Sequence, residues 1–313
     1  MITAYVHDWN PILFELGGPL ALRWYGLAYL LSFVLGFLLL KHLAKKKLWV
    51  LPEDNVSDFI TLAAMFGVFL GGRLGYVIFY MIPDKGIGHI LEDPLTIIRV
   101  WDGGMASHGG ILGLIAFTFI YARKKGVSWP GIGDGLCVVA PLGIFCVRIA
   151  NFINGELHGR IAEKAPWAMK FPGALADPTA PEYENRQAAY DAVTKIAPLA
   201  QGQEYSIEYA KSALRAHPSL HETFEQLLML RHPSQIYQAT LEGLLVFTIL
   251  LVVRLKFPKL GYGVLTGLFF ILYAIGRIVG EQFREPDSAM IGLLTKGQFY
   301  SSFMIFIGLT LYS

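Results

Sequence analysis

The chain has 313 residues, of which 54% are hydrophobic and only 16% charged, with a formal net charge of +2 and a mean hydropathy of +0.47. Soluble domains carry about 25% charged residues, so this composition excludes a pair of ordinary soluble domains, a disordered chain and a small disulfide scaffold. The charge is also too small to imply a nucleic-acid partner. Cys137 and Cys146, nine residues apart in one apolar stretch, would lie about 13 Å apart along a helix, too far to bridge.

In chain order, residues 1–19 read as a short outer segment lying on the membrane, with Asn10-Pro11 before an apolar run resembling a helix start. A membrane-crossing helix needs roughly 20 mostly apolar residues. Seven stretches come close: 20–40, 59–81, 105–122, 132–150, 235–253, 260–281 and 297–312. The first begins late and runs through Leu40, unlike a cleavable signal peptide. Lys41, Lys45, Lys46 and Lys47 follow the first stretch, Arg123, Lys124 and Lys125 the third, and Arg254, Lys256 and Lys259 the fifth. Basic clusters after alternate spans satisfy the positive-inside rule with the N-terminus outside and the C-terminus in the cytoplasm. The predicted fold is an all-α polytopic membrane protein of seven transmembrane helices with an outward-facing head. Residues 1–154 hold spans 1–4, residues 155–234 the extracytoplasmic head, and residues 235–313 spans 5–7. Head helices are predicted near 185–199, 204–216 and 219–231, punctuated by Pro172, Pro178, Pro181, Pro198 and Pro218.

Ionisable groups inside spans are expensive and mark function by default. Here they are Arg23, Arg73, His108, Arg148, Glu242, Arg277 and Glu281. With this topology six of the seven fall in the outer half of the membrane, and Glu242 lies nearer the outer end of its span; Asp134 alone is a candidate at the inner ends. Snorkelling accounts for one arginine at a helix end, not for four. A cationic cavity open to the outside accounts for all of them, and its natural ligand is an anion with an apolar tail. Tyr273, Arg277, Glu281 and Arg284 share one helix face. On that face Glu281 can orient Arg277 and leave guanidinium donors for a phosphate; the alternative is an ion pair that only locks helices. Gly67, Gly71 and Gly75 form a small-residue ridge for close helix packing, with Arg73, Tyr76 and Tyr80 on its other faces. His108 sits between glycines in GGMASHGG at 103–110, where unusual backbone angles and close approach of a ligand are permitted. A single embedded histidine with no partner at ligand spacing argues against a metal. The chain carries no nucleotide loop and no hydrolase signature.

The run RIANFINGELHG at 148–159 resembles the hallmark motif of prolipoprotein diacylglyceryl transferases, bacterial membrane enzymes. RWYGL at 23–27, GGRLGYVIFY at 71–80, GGMASHGG at 103–110, RHPSQIYQ at 231–238 and GRIVGEQFREPD at 276–287 agree with it in the same order. Two positions depart: Val147 stands where the family has glycine, and His158 where an aromatic is common.

The resemblance implies transfer of a diacylglyceryl group from phosphatidylglycerol to the lipobox cysteine of a prolipoprotein signal peptide. A thioether forms and glycerol phosphate leaves, at the outer leaflet of the bacterial inner membrane. No metal, nucleotide or other cofactor is implied, and the partners are the two substrates and membrane lipids, with no nucleic acid. Arg148 and Arg277 are then expected to bind the phosphate and stabilise the leaving group, with Arg73 and Arg284 as lesser contributors. His108 is the expected base, or else a phosphate ligand while the arginines acidify the thiol. Tyr25 and Tyr273 position the head group. Asn151, Asn154 and Glu156 form a polar network at the outer mouth, Gly159 closes the motif as a binding residue, and Glu281 orients Arg277. The competing reading is a transporter or flippase for an anionic lipid or solute. Against it, the inner half lacks matching polar residues and no inverted repeat is visible.

Overall fold

The computed structural model describes residues 5–17, 20–99, 103–200, 202, 204–286, 292 and 294–312. Residues 1–4 of the N-terminal segment, Gly18-Pro19, and Asp287 of the sixth matching segment lie outside the described residues. The helix start expected at Asn10-Pro11 is replaced by a hairpin. Asn10 Oδ1 accepts a hydrogen bond from Ile12 N at 2.9 Å, and this side-chain turn takes up a backbone donor that a helix would use differently. Strand β1 (Ile12–Gly17) then pairs antiparallel with β2 (Leu20–Arg23). Trp24 N donates to Pro11 O at 3.2 Å where the hairpin hands over to the first helix.

The rest is mostly helical: α1 (Trp24–Lys45), α2 (Glu53–Glu92), α3 (Ser107–Lys125), α4 (Trp129–Asn154), the short α5 (Arg186–Ile196), α6 (Ile207–Ala216) and α7 (Leu220–Leu227), then α8 (Ser234–Lys256), α9 (Val264–Gly280) and α10 (Lys296–Tyr312). Among the described residues, α1, α2, α4 and α8 are long and apolar enough to cross a membrane, while α9 and α10 are shorter apolar helices. Large apolar side chains such as Leu30, Phe33, Phe66, Leu244 and Phe306 stay exposed on them, the mark of a surface that meets lipid. Helix α2 runs beyond the expected end near residue 81 because the chain turns at Gly86 (φ 77°) and continues helically to Glu92.

Helix α4 packs against α1, α8 and α9, α2 lies along α3, and α10 lies along α9. The glycine ridge packs as its spacing predicts. A Cβ on Gly109 would sit 2.6 Å from Gly75 Cα, so α2 and α3 touch backbone to backbone. Near the lysine-rich end of α1, Leu40, Leu43, Phe59, Ile132, Leu250 and Leu265 form one buried cluster. Asp134 there accepts from Gly263 N (2.9 Å), Thr266 N (2.8 Å) and Thr266 Oγ1 (2.9 Å), so it caps the start of α9.

Helices α5, α6 and α7 fall inside the three expected head segments and bury a second cluster, including Leu175, Val193, Leu214, Leu220 and Phe224. Val6 joins that cluster from the N-terminal segment. Two backbone bonds tie the segment down, His7 N to Lys170 O (2.8 Å) and Lys170 N to Tyr5 O (2.9 Å).

Candidate active site

Arg148 lies in the penultimate turn of α4, and α8 brings Glu242 against it. The Glu242 side chain is 0% exposed, with Oε2 3.2 Å from Arg148 Nη2 and Oε1 3.4 Å from Arg277 Nη1. Arg277, in the last turn of α9, places Nη2 2.6 Å from Glu281 Oε1, and Arg284 Nη1 lies 3.8 Å from the same oxygen. The groups run Arg148–Glu242–Arg277–Glu281–Arg284, alternating in sign. Three guanidiniums and two carboxylates leave one formal positive charge. The arginine side chains of the first two remain 16% exposed, so each keeps an edge free. Tyr273 lies one turn before Arg277, with its hydroxyl near Arg148.

The backbone of α8 explains how Glu242 reaches both arginines. Residues Ala239–Leu245 widen into a π-helical turn, a local feature that re-aims side chains. Gly243 in that turn lies against the Phe145 backbone, where a Cβ would come within 2.8 Å of its Cα.

A second cluster lies at the end of α4. Gly155 takes φ 65°, a left-handed cap that stops the helix. Glu156 N then donates back to Asn151 O at 3.2 Å, which turns the Glu156 carboxylate onto the helix it has just left. Tyr25 OH donates to Glu156 Oε1, and Asn151 Nδ2 donates to the Tyr25 hydroxyl and, at 2.8 Å, to Glu156 Oε1. Burial holds the Glu156 carboxyl above its ordinary range, and Lys211 opposes that shift. The neighbouring Asn154 contributes its backbone: Lys211 Nζ donates to Asn154 O at 3.2 Å.

Gly159 is fitted into a crowded strand-like crossing. Its N donates to His232 O at 3.0 Å and it bridges antiparallel to Arg284. A Cβ there would sit 2.6 Å from Phe283 O. Its own carbonyl accepts from Arg231 Nη1 at 2.9 Å. The structure therefore joins Arg148, Tyr273, Arg277, Glu281 and Arg284 in one group, Tyr25, Asn151 and Glu156 in another, and links Gly159 to the first through Arg284.

Arg73 is placed differently. Buried to 4% exposure, it donates to Ile97 O (2.9 Å), Thr96 O (2.5 Å), Gly103 O (2.5 Å) and Gly104 O (2.9 Å). Four of its five N–H groups are thus used to hold the carbonyls of Thr96, Ile97, Gly103 and Gly104. Gly103 and Gly104 lead into the first turn of α3, where His108 is exposed. Among the described residues His108 makes no hydrogen bond or ion pair, and none joins it to the arginine group. Gly103 and Gly104 do take positive φ, 84° and 82°. Gly109 serves helix packing rather than a ligand.

Three groups at the site carried no sequence-level role. Glu242 was visible only as an embedded charge, yet it is the centre of the arginine group. Gln235 and Gln238, from RHPSQIYQ, are fully buried. Buried polar atoms without a protein partner gather here: Asn151 Oδ1, Asn154 Oδ1, Gln235 Oε1 and both ends of the Gln238 amide. Such atoms are rare in folded chains and point to a missing hydrogen-bonding guest. Gln238 sits one helical turn from Glu242, a spacing that marks the two as neighbours. Arg231 is the third: with no exposure it forms a two-pronged pair with Glu182 (2.7 and 2.6 Å) and reaches Glu285 Oε2 at 2.9 Å.

Comparison with known proteins gives one consistent result. A family model described as prolipoprotein diacylglyceryl transferase matches residues 11–313. Three relatives bear the name phosphatidylglycerol–prolipoprotein diacylglyceryl transferase. That of Pectobacterium atrosepticum is 36% identical over 316 residues, covering 99% of this chain and 95% of the relative. That of Bdellovibrio bacteriovorus is 37% identical over 337 residues, covering 98% and 92%. That of Azospirillum brasilense is 37% identical over 307 residues, covering 96% and 92%.

Proposed function

The chain belongs to the prolipoprotein diacylglyceryl transferase family, and we propose that its arginine–carboxylate group is where the phosphate of phosphatidylglycerol is held and released. The protein is a membrane transferase of lipoprotein biosynthesis; the transporter reading is not favoured, because the relatives carry transferase names. In the reaction the sulfur of the lipobox cysteine attacks the glycerol carbon bearing the phosphate. A carbon–sulfur bond forms, the carbon–oxygen bond to phosphate breaks, the thiol proton is lost and glycerol phosphate departs.

The observation that carries this reading is the single net positive charge of the Arg148–Glu242–Arg277–Glu281–Arg284 group among apolar helices. A phosphodiester carries one negative charge, so the group balances the bound lipid. The glutamates hold the guanidiniums before the reaction, so they need not reorganise as charge develops on the leaving oxygen. The exposed edges of Arg148 and Arg277 face the phosphate, with Arg284 beside them. Tyr273 steadies Arg148, and Glu281 orients Arg277. The unpartnered amide of Gln238, one turn from Glu242, meets the hydroxyls of the glycerol head group.

Tyr25, Asn151 and Glu156 form the outer mouth together with Asn154, and Gly159 keeps Arg284 close to it. Arg73 acts through the segment it holds, with one donor left for a ligand. His108 takes the thiol proton. Its side chain is uncommitted, and a thiol with a pKa near roughly 8.5 needs a base at neutral pH. Seven helices span the bacterial inner membrane with the N-terminus outside. The basic clusters after alternate spans support this orientation, which puts the site at the outer leaflet and the 155–234 head outside.

Purified protein, phosphatidylglycerol vesicles and a lipobox peptide provide the test. The peptide gains the mass of a diacylglyceryl group and one glycerol phosphate is released per modification. Uptake of labelled anion into vesicles, with no change in peptide mass, overturns the reading.

A further inference from the structure

A cavity of about 390 Å³ opens between the head and the end of α4, outside the arginine group. Its walls include Arg23, Asn154, Glu156, Glu208, Lys211 and Arg215. Three cations, Arg23 from the end of β2 and Lys211 and Arg215 one turn apart on α6, line this space against two carboxylates. Glu156 is its shared wall with the Tyr25–Asn151 network, and the buried Asn154 Oδ1 beside it has no protein partner. Burial pushes the Lys211 ammonium below its ordinary range, with Glu208 and Glu156 opposing that shift and Arg215 adding to it. Arg215 also feels Asp8.

The cavity lies on a polar line. Arg148, Asn151 and Asn154 are spaced three apart on α4, so the line climbs about 9 Å from the arginine group to the cavity floor. The charge of the phosphate changes along that route. As a diester it carries one negative charge, matched by the arginine group. Once the carbon–oxygen bond breaks, it is a monoester with a second pKa near about 6 and close to two negative charges at neutral pH. The arginine group then falls one charge short, and the chamber beyond the end of α4, with Arg23, Lys211 and Arg215 against Glu156 and Glu208, brings one further net positive charge.

Resting on the transferase reading above, we propose that this cavity is an exit site for the phosphate-monoester product, receiving free glycerol phosphate from the arginine group before it is lost to solvent. The shared chemistry is a phosphate bearing a glycerol, which could come from the intact lipid or from the released product. The site is assigned to the product because a 390 Å³ chamber lined by three cations and two carboxylates has room for glycerol phosphate but is far smaller than a lipid with two acyl chains.

The test uses the full-length protein in detergent, with sn-glycerol 1-phosphate added during turnover of phosphatidylglycerol and a lipobox peptide. Added glycerol phosphate inhibits the intact protein. Lys211→Gln and Arg215→Gln each weaken that inhibition by about tenfold, the scale of one charge-assisted contact, without a matching rise in the KM for phosphatidylglycerol. Lys211 Nζ also holds Asn154 O, whereas among the described residues the Arg215 side chain bonds no backbone group, so its variant keeps the test valid if Lys211→Gln fails to fold. Equal inhibition of both variants and parent overturns the proposal. So does a rise in KM for the lipid, which would place the intact head group there, or a rise in KM for the peptide alone. Absence of any modified peptide with the intact protein sinks the transferase reading itself, and is thereby told apart from failure of the exit site.

Discussion

Glu242 stands 3.2 Å from Arg148 with no part of its side chain exposed, 94 residues away in sequence. Its second oxygen faces Arg277 at 3.4 Å, so one carboxylate sets the spacing of two guanidiniums. Glu242→Gln keeps the shape and removes the charge. The two arginines then repel and shift, and a displacement of about 1 Å at a reacting centre costs on the order of 100-fold in rate. The expected result is a kcat lowered by that order. Glu242→Ala adds a loss of thermal stability, because breaking a buried pair costs about 3–5 kcal/mol. Turnover assays and melting of the detergent-solubilised variants separate the two.

Arg148 and His108 are assigned different tasks, and their variants separate them. Arg148→Ala removes the donor proposed for the leaving phosphate, with an expected loss of about 100- to 1,000-fold in kcat. Arg148→Lys does not restore it, since an ammonium cannot present planar donors to Glu242, Tyr273 and a phosphate together. His108→Gln lowers kcat most at low pH, where less of the thiol is ionised. Near-normal turnover of His108→Gln across pH, with Arg148→Ala inactive, would remove the base role and leave phosphate stabilisation standing.

Tyr25 joins the hairpin end of the fold to the motif at 148–159. Tyr25→Phe deletes the hydroxyl that donates to Glu156 and accepts from Asn151. A buried polar group left without its partner costs about 1–3 kcal/mol. If that cost falls on the bound state, kcat/KM drops roughly 10- to 100-fold with the helical content unchanged. Circular dichroism with turnover on the same sample checks it, and unaltered kcat/KM would detach this network from catalysis.

How much of this could be read from residues alone depends on distance along the chain. Arg277 and Glu281 are one helical turn apart, so their 2.6 Å contact follows from helix geometry. The Gly67, Gly71 and Gly75 ridge is legible for the same reason. Glu242 and Arg148 are on different helices, and their meeting depends on a π-turn that no hydrophobic period announces. The hairpin at 12–23 was hidden because Asn10-Pro11 suits a helix start and a turn equally. Arg231 and Glu182 sit in the most polar stretch of the sequence, where charges normally face water. Only the fold shows them sealed together at 0% exposure.

Gly109 offers a test of the membrane-embedded packing. A Cβ there would meet Gly71 O at 2.5 Å and Gly75 Cα at 2.6 Å, with backbone on both sides and nothing flexible to yield. Gly109→Ala therefore pushes α3 off α2, at a cost of about 1–3 kcal/mol. Because Ala106 N also donates to Gly72 O at 2.9 Å across this seam, the displacement reaches the turn carrying His108. The melting temperature and the turnover fall together. A variant as stable as the parent would mean the helices do not approach this closely.

The head is held to the α4 end by two neutral histidines. His7 stacks on Phe171 at 5.4 Å between centroids and meets Phe152 edge-on at 5.0 Å. His158 also stacks on Phe171, at 6.4 Å. Burial is the largest influence on both and lowers each to about 4 from 6.5; Lys211 adds to it at His7 and Arg231 at His158. The unfolded chain therefore binds these protons at a higher pH than the folded one. Between pH 6.5 and about 4 the unfolded state holds more protons, so stability falls as pH falls. The contribution is fully present above pH 6.5, is lost progressively down to about pH 4, and amounts to roughly 3 kcal/mol per histidine. Hydrogen exchange on the solubilised protein should show amides of 155–234 opening over that window, while those of the α2–α3 seam hold. His158→Phe keeps the stacking partner for Phe171 and removes one proton site, so it flattens the slope by about half. A pH profile as steep as that of the parent would mean the titrating groups lie elsewhere.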